Sequence, residues 1–436
     1  MKALIHAAGP YTVDNVFVES TSVYTNKTYA GACRGFGVPQ VSFASESQVD
    51  EVAKKVGMDR LELRIKNGLK AGDANATGQV YEQSVGLRET QEKIRVLPPL
   101  KKQNTERYLY GTGYSSILQG ISNGAEGIDV VGGAVQVSQD GSVLVSIGLT
   151  ELGQGSRTVY ALIASEVLGV SLENITVRLV DTDGVHNSGP TVASRSTTVG
   201  GMAIKKAAEQ VKDSLLSMAA LMFEMEKEAI ILKDDCAVLR DNDQARIPLR
   251  EVATAAFWTG YPLMNLTFSK APESSYDHDT HQGDIYIAYN YGTHRMDVQV
   301  DTYTGDVKVL RHVAAHDVGK VINPLGLEGQ VEGASLMGLG FAHLEEVLYT
   351  NGIVQNPNFA DYAVPSVKDR LPTETISVED YNPTGPYGAK GIGEPPLAAA
   401  AAAFANGITD ATGIQFRRLP ITKEDIIAGL QGGYDD

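Results

Sequence analysis

Residues 387–404 read YGAKGIGEPPLAAAAAAF. Pro395 and Pro396 suit the first turn of a helix, where a missing N–H leaves nothing unsatisfied. The alanines from Ala398 to Ala403 extend that helix and leave it slim enough for another surface to pack close. Glu394 is the one carboxylate at its mouth. A residue before proline is pushed toward extended geometry, so Glu394 is expected extended and near the N-cap, where the helix dipole favours negative charge. Gly391 and Gly393 keep the space around it clear. A lone carboxylate in a small-walled pocket suits a general base; a plain capping glutamate is the other reading.

The rest of the chain mixes strands and helices without strict βαβ alternation, which predicts α+β lobes with mixed sheets and packed helices. "GGAVQVSQDGSVLVSIG" (132–148) alternates apolar and polar residues around Asp140-Gly141, a hairpin signal. A second hairpin is expected in 294–319, turning at Thr304-Gly305-Asp306. "SRTVYALIASEVLG" (156–169) predicts a helix, and "NITVRLVDTD" (174–183) a strand. Further helices are expected over 200–229, 327–341 and 396–411, with Thr422 and Asp425 capping a final one.

Near the start, "KALIH" reads as helical and "VDNVFVES" as strand-like. Residues 47–67 read as two short helices. Ser47 and Asp50 resemble a capping box over an apolar face of Val49, Val52, Ala53 and Val56. Gly57 ends the first helix and Asp59 caps the second. The polar stretch Lys70–Thr105 predicts a linker with one amphipathic helix, hence a first domain over 1–95 and a second over 106–436.

Composition narrows the function. The chain has 436 residues, 43% hydrophobic and 21% charged, as in soluble globular proteins. The net charge of −16 argues against a nucleic-acid partner. With no apolar run of membrane-spanning length and no signal-peptide pattern, a cytoplasmic location is expected. Two cysteines, Cys33 and Cys236, make neither a disulfide framework nor the four-thiolate ligation of an iron–sulfur cluster. Cys33 reads as a small buried side chain. His278 and His281 form an H-x-x-H in a loop-like stretch, more a solvated turn than a metal site. His316 and Asp317 are neighbours on a strand and face opposite sides, so a structural role is expected for them.

Chemistry concentrates in glycine-rich turns: "GACRGFGVPQ" (31–40), "TELGQGSRT" (150–158), "SGPTVASRSTTVGG" (188–201) and "GAKGIGEPP" (388–396). The second and third precede helices, where free amides favour anions such as a phosphate-bearing ligand. Neither the Walker A nor the Rossmann pattern is present.

Together with "HDVGKVINP" and "GQVEGA", these stretches occur in the order found in the molybdenum hydroxylases. The chain resembles the C-terminal half of the molybdopterin-binding subunit of the xanthine dehydrogenase and aldehyde oxidoreductase family. The resemblance implies that family's fold and a molybdenum–molybdopterin cofactor, free or as its cytosine dinucleotide, with the metal held by the pterin dithiolene and no protein ligand. It implies hydroxylation of an N-heterocycle (purine- or nicotinate-like) or an aldehyde, with water as oxygen source.

Glu394 matches the family's catalytic glutamate, which takes the proton as oxygen is transferred. Arg34, Gly153, Gln154, Gly155, Ala193, Ser194, Ser196 and Gln330 match positions around the cofactor, and Phe36 the aromatic that stacks on substrate. The family's N-terminal half is missing from this sequence. Either the subunit is split, with a partner subunit carrying that half, or the chain is a fragment; iron–sulfur and FAD subunits in a cytoplasmic heteromer are implied beside it. The alternatives are a non-catalytic remnant or an aryl-thioester reductase subunit. Lys2 stands where purine enzymes have arginine, and Ser116 or a neighbour replaces their second aromatic. Gly35 stands where carbon monoxide dehydrogenases have a copper-binding cysteine.

Overall fold

The computed structural model describes residues 1–178 and 180–434. In chain order the helices are α1 (Lys2–His6), α2 (Val38–Val56), α3 (Arg60–Asn67), α4 (Leu87–Arg95), α5 (Ser156–Leu168), α6 (Gly201–Phe223), α7 (Leu249–Thr259), α8 (Pro324–Leu339), α9 (Pro395–Thr412) and α10 (Lys423–Leu430). The strands are β1 (Tyr108–Ile121), β2 (Val130–Val137), β3 (Val143–Ile147), β4 (Ile175–Val177), β5 (Ile230–Lys233), β6 (Cys236–Leu239), β7 (Asn242–Pro248), β8 (Met264–Lys270), β9 (Ala288–Asp301), β10 (Val307–Asp317), β11 (Tyr349–Thr350), β12 (Ile353–Val354) and β13 (Thr373–Val378).

Two four-stranded sheets carry the molecule, in the orders β1-β9-β10-β13 and β4-β3-β2-β8. Each joins antiparallel neighbours to one parallel pair, β10 with β13 and β3 with β4. This is the α+β arrangement with packed helices that the sequence predicts. Helices α5, α6 and α7 cover the second sheet through a core that includes Val135, Val145, Ile163, Ala207 and Leu215. Both expected hairpins form, with Gly141 (φ 87°) and Gly305 (φ 72°) at their turns. The strand expected over 174–183 is confined to Ile175–Val177, and Leu179 lies outside the described residues.

The alanine helix α9 packs onto β1 backbone to backbone. A Cβ on Gly113 would fall 2.0 Å from the Ala403 carbonyl oxygen, and one on Gly111 would fall 2.3 Å from that of Gly407. The Ser115 hydroxyl donates to the Ala399 carbonyl at 2.6 Å. Asn406 Nδ2 donates to the carbonyl of Tyr114 at 2.9 Å and to that of Glu46 at 3.2 Å. Glycine on the strand and alanine on the helix are the residues that this spacing admits.

Helix α2 corrects the sequence reading. It starts at Val38, behind a left-handed Gly37 (φ 95°) and with proline in its first turn, so Ser47 and Asp50 are interior residues and not a cap. Val52 and Val56 face solvent; the buried face carries Glu46, Ser47, Asp50 and Ala53. The polar groups are inside because α3 delivers Arg64 to them. Its Nε donates to Glu46 at 2.8 Å and its Nη1 to Asp50 at 2.6 Å. Burial alone would lower the Arg64 pKa; the two carboxylates more than offset it and raise it instead. The Gly57 stop and the Asp59 cap, which accepts from Leu61 N and Glu62 N, form as expected.

Three histidines line up inside the β9–β10 pair. Thr373 Oγ1 lies 2.9 Å from His312 Nδ1, His312 Nε2 lies 3.0 Å from His294 Nδ1, and His294 Nε2 lies 2.7 Å from His316 Nε2. The line ends on Asn290 Oδ1, 3.2 Å from His316 Nδ1. On the opposite face Asp317 pairs with Lys390 at 2.5 Å, both fully buried. His316 and Asp317 thus face opposite sides and serve structure.

Two outcomes follow. Gly113→Ala should destabilise the fold by at least about 2 kcal/mol in a denaturant titration, since the added methyl overlaps backbone. Burial pushes His312 and His316 down to about 3, and His294 well below its usual value, with neighbouring imidazoles adding to the effect on His294 and His316. Between pH 6.5 and 3 the unfolded chain takes up protons that the folded stack refuses, so stability falls as pH drops through that window. The ring resonances of these three histidines should show no titration from pH 8 down to about 5 by NMR; a midpoint near the usual value would refute a neutral stack.

Candidate active site

Four loops converge at the N-terminus of α9. Glu394 is its N-cap residue, yet its side chain makes no cap: Oε1 accepts from Gly35 N at 3.2 Å and Oε2 from the Ser194 hydroxyl at 3.0 Å. Ser194 Oγ in turn accepts from Glu394 N at 3.2 Å. Glu394 is 7% exposed. Its φ of −107° and ψ of −39° are helical, not extended as the following proline predicts. The reciprocal bond with Ser194, and the Leu397 N–H donated to the Glu394 carbonyl at 3.2 Å, hold it there.

Ser194 sits on a constrained stretch. Ala193 (φ 57°) and Ser194 (φ 52°) are consecutive left-handed residues, each costing roughly 1 to 3 kcal/mol. Arg195, fully buried, binds the carbonyls of Ser188 and Pro190 and reaches Asp129 at 3.3 Å, which pins the loop. Ser122 N donates to the Ala193 carbonyl at 3.0 Å. Gly391 is required sterically, since a Cβ there would lie 1.7 Å from the Ser194 carbonyl oxygen; Gly393 meets only an ordinary contact at 3.5 Å.

Arg34 closes another side. Its Nε donates to the Gly393 carbonyl, and its Nη2 to Gln330 Oε1 on α8 at 3.0 Å. Burial pulls the guanidinium down, and the charge of Glu394 works against that shift. Gly35 (φ 95°) turns the chain so that its N–H reaches Glu394, while Phe36 (φ 53°) is 40% exposed. Cys33 is exposed, not buried as expected, because it ends a stretch that lies on the surface.

A cavity of about 510 Å³ results, lined by Arg34, Phe36, Gly153, Gln154, Ala193, Ser194, Ser196, Gln330 and Glu394 together with Cys33, Leu152 and Thr191. Of the positions matched to the family's catalytic, cofactor and substrate residues, Gly155 alone lies off it, on a side recess of about 70 Å³ that shares Gln154 and Gln330. A larger opening of about 600 Å³ lies around Tyr286 and Lys270. Of its acids, Asp129 is engaged by Arg195 and Glu273 by Lys270, while Asp284 is exposed and lacks the burial of Glu394.

The helix N-terminus at "GQGSRT" is not an open anion seat, contrary to the sequence reading. The Glu151 carboxylate occupies it, accepting from Gly155 N at 2.8 Å, Gly153 N at 2.9 Å, Arg157 N at 3.1 Å and the Ser156 hydroxyl at 3.1 Å. Burial pushes the Glu151 carboxyl up, but these donors outweigh it and the net shift is down. Gln154 Nε2 donates to its own loop, to the Thr150 carbonyl at 3.0 Å and to Ser156 Oγ at 3.1 Å. Glu151 and Arg195 were legible only as charges inside small-residue loops. Lys2, which the family resemblance sets against an arginine of purine enzymes, is buried, with Nζ 5.7 Å over the Phe36 ring and 5.4 Å over that of Tyr286. His281 bonds Tyr276 at 2.7 Å, and among the described residues no group of three side chains is placed to hold a metal ion.

The chain belongs to the molybdopterin cofactor-binding domain family, whose models match residues 86–371 and 1–68. It is similar to the xanthine dehydrogenase molybdenum-binding subunit of Escherichia coli O157:H7, 33% identical over 426 residues, which cover 94% of this chain and 55% of that one. The aldehyde oxidoreductase of Desulfovibrio desulfuricans superposes with a TM-score of 0.82 at 29% identity, over 98% of this chain and 44% of that one. Quinoline 2-oxidoreductase of Pseudomonas putida shares the fold, with a TM-score of 0.85 at 24% identity over 99% and 57% of the two chains. The chain spans about half the length of these relatives.

Glu151→Ala leaves three amides and a hydroxyl without their acceptor. It should lower stability by about 1 to 2 kcal/mol and open the N-terminus of α5 to inorganic phosphate. The check is a melting temperature that rises with phosphate in the variant and not in the wild type.

Proposed function

We propose that this chain is the catalytic molybdopterin subunit of a multi-subunit hydroxylase, oxidising an N-heterocycle or an aldehyde with water as oxygen source. The observation that carries the reading is Glu394: a buried carboxylate held by one amide and one hydroxyl, facing a cavity with an arginine and an aromatic ring. The cavity fits an anionic, acceptor-rich cofactor. A Cβ built on Gly153 or Gly155 meets nothing within 4 Å, so a ligand can approach that loop closely even though both amides are held by Glu151. Arg34 keeps Nη1 free of any intramolecular bond among the described residues.

In this reading Arg34, Gly153, Gln154, Gly155, Ala193, Ser194, Ser196 and Gln330 surround the molybdenum–pterin, which supplies the two-electron oxidation and activates water. Glu394 accepts the proton. An ionised carboxylate has about four lone-pair sites; Gly35 and Ser194 take one on each oxygen, so acceptor capacity remains while the group cannot rotate. Phe36 presents its ring to a planar substrate. Lys2, over the Phe36 ring, places a positive charge behind that wall. Iron–sulfur and FAD centres on partner subunits would take up the electrons, and a further polypeptide would supply the portion of the relatives that this chain does not match. The relatives' names, which span a purine, an N-heterocycle and an aldehyde, support the substrate class.

Glu394→Gln should lower turnover about 100- to 10,000-fold with molybdenum content unchanged. Turnover retained above a few per cent, assayed with xanthine, quinoline and benzaldehyde, would remove Glu394 from this role.

A further inference from the structure

Every residue from Thr12 to Cys33 is exposed, and none belongs to a helix or strand. The segment is not polar. Phe17 is 90% exposed, Tyr29 91% and Val23 72%, and Tyr24 is wholly exposed. Among the described residues, 13–32 make no backbone–backbone hydrogen bond; the strap is tied at one end by Thr12 N to the Asn67 carbonyl and at the other by the Phe36 N to Cys33 carbonyl turn. Along it, Lys27 Nζ lies over the Tyr349 ring and its N–H bonds Thr25.

Its first part, residues 13–20, is what the sequence marks as strand-like, and the segment is rich in the β-branched and aromatic residues that favour strands. A strand sequence with its backbone donors and acceptors open is a template for pairing with another chain. The matched part of the E. coli relative is 55% of its length, although 94% of this chain takes part. A comparable length of polypeptide is therefore present in relatives beyond what this chain contains.

We infer that residues 12–33 are a docking strand for that unmatched portion of the subunit, which pairs with it edge to edge and covers Phe17, Tyr24 and Tyr29. The inference rests on the partner polypeptide named under the proposed function and gives its place of attachment. The strap runs directly into Cys33, Arg34 and Phe36, so docking reaches the cavity wall: a partner that fixes residue 33 also fixes the arginine that binds Gly393 and Gln330.

The test mixes the full chain with the unmatched portion of the E. coli subunit, expressed as a separate polypeptide. Complex formation is followed by size exclusion, and amide hydrogen exchange is read peptide by peptide. A complex in which exchange over 13–32 slows at least tenfold is expected. The triple variant Phe17→Asp, Tyr24→Asp, Tyr29→Asp should bind at least tenfold more weakly with an unchanged melting temperature, its substitutions being on exposed side chains. The inference is overturned if no complex forms, if the complex leaves 13–32 exchanging as before, or if the triple variant binds like the wild type. Protection of 13–32 that rises with the concentration of this chain alone would assign the strap to a second copy and overturn it as well. A complex that forms as expected but carries no molybdenum would instead defeat the catalytic reading and leave the docking strand standing.

Discussion

Helix α9 touches β1 at a distance where the strand has room for no side chain. That contact is the constraint on which the rest depends. It fixes where α9 begins, and α9 begins at Glu394. A helix standing farther off, on larger side chains, would move its first turn away from the loops that carry Gly35 and Ser194. Bonds from Ser115 and Asn406 lock the helix at both ends of the contact, and Asn406 reaches the Glu46 carbonyl, joining α9 to the buried charges on α2. An apolar helix with one functional residue at its tip is thus set by backbone contact and by the side chain of Asn406.

The site itself is a meeting of segments far apart in the chain. Residues 34, 194 and 394 come together at element boundaries, the turn into α2, the loop before α6 and the cap of α9, and Gln330 meets them from the first half of α8. Ser194 holds the junction, donating to the Glu394 carboxylate and accepting from its amide. Its left-handed conformation, and that of Ala193, persist because Arg195, Ser122 and Gly391 leave the loop no alternative.

Much of this was legible in the sequence. Hairpin turns announce themselves through glycine and aspartate, and the proline pair marked the start of α9. The glycine-rich motifs carry nearly all of the cavity lining. What was missed has a common cause. The capping box at Ser47 failed because a polar helix face can point inward when another helix brings the matching charge, and Arg64 is eighteen residues beyond Glu46. The anion seat at α5 failed because Glu151, close by in the same loop, fills it. The extended geometry expected of Glu394 gave way to a bond from a residue two hundred positions away. Local rules describe what a segment does alone, and these three exceptions are long-range or mutual.

The histidine line has a direction. Asn290 Nδ2 donates to the Asp317 carbonyl at 2.7 Å, which leaves Oδ1 to face His316 as an acceptor. A neutral His316 must then carry its hydrogen on Nδ1, His294 on Nε2 and His312 on Nε2, with the Thr373 hydroxyl pointing inward. One amide thus sets three tautomers and a rotor. To reverse any member means reversing all of them and turning the amide over, at the loss of its hold on the strand carrying Asp317. The buried imidazoles form a polarised row, written in one sense across the β9–β10 pair.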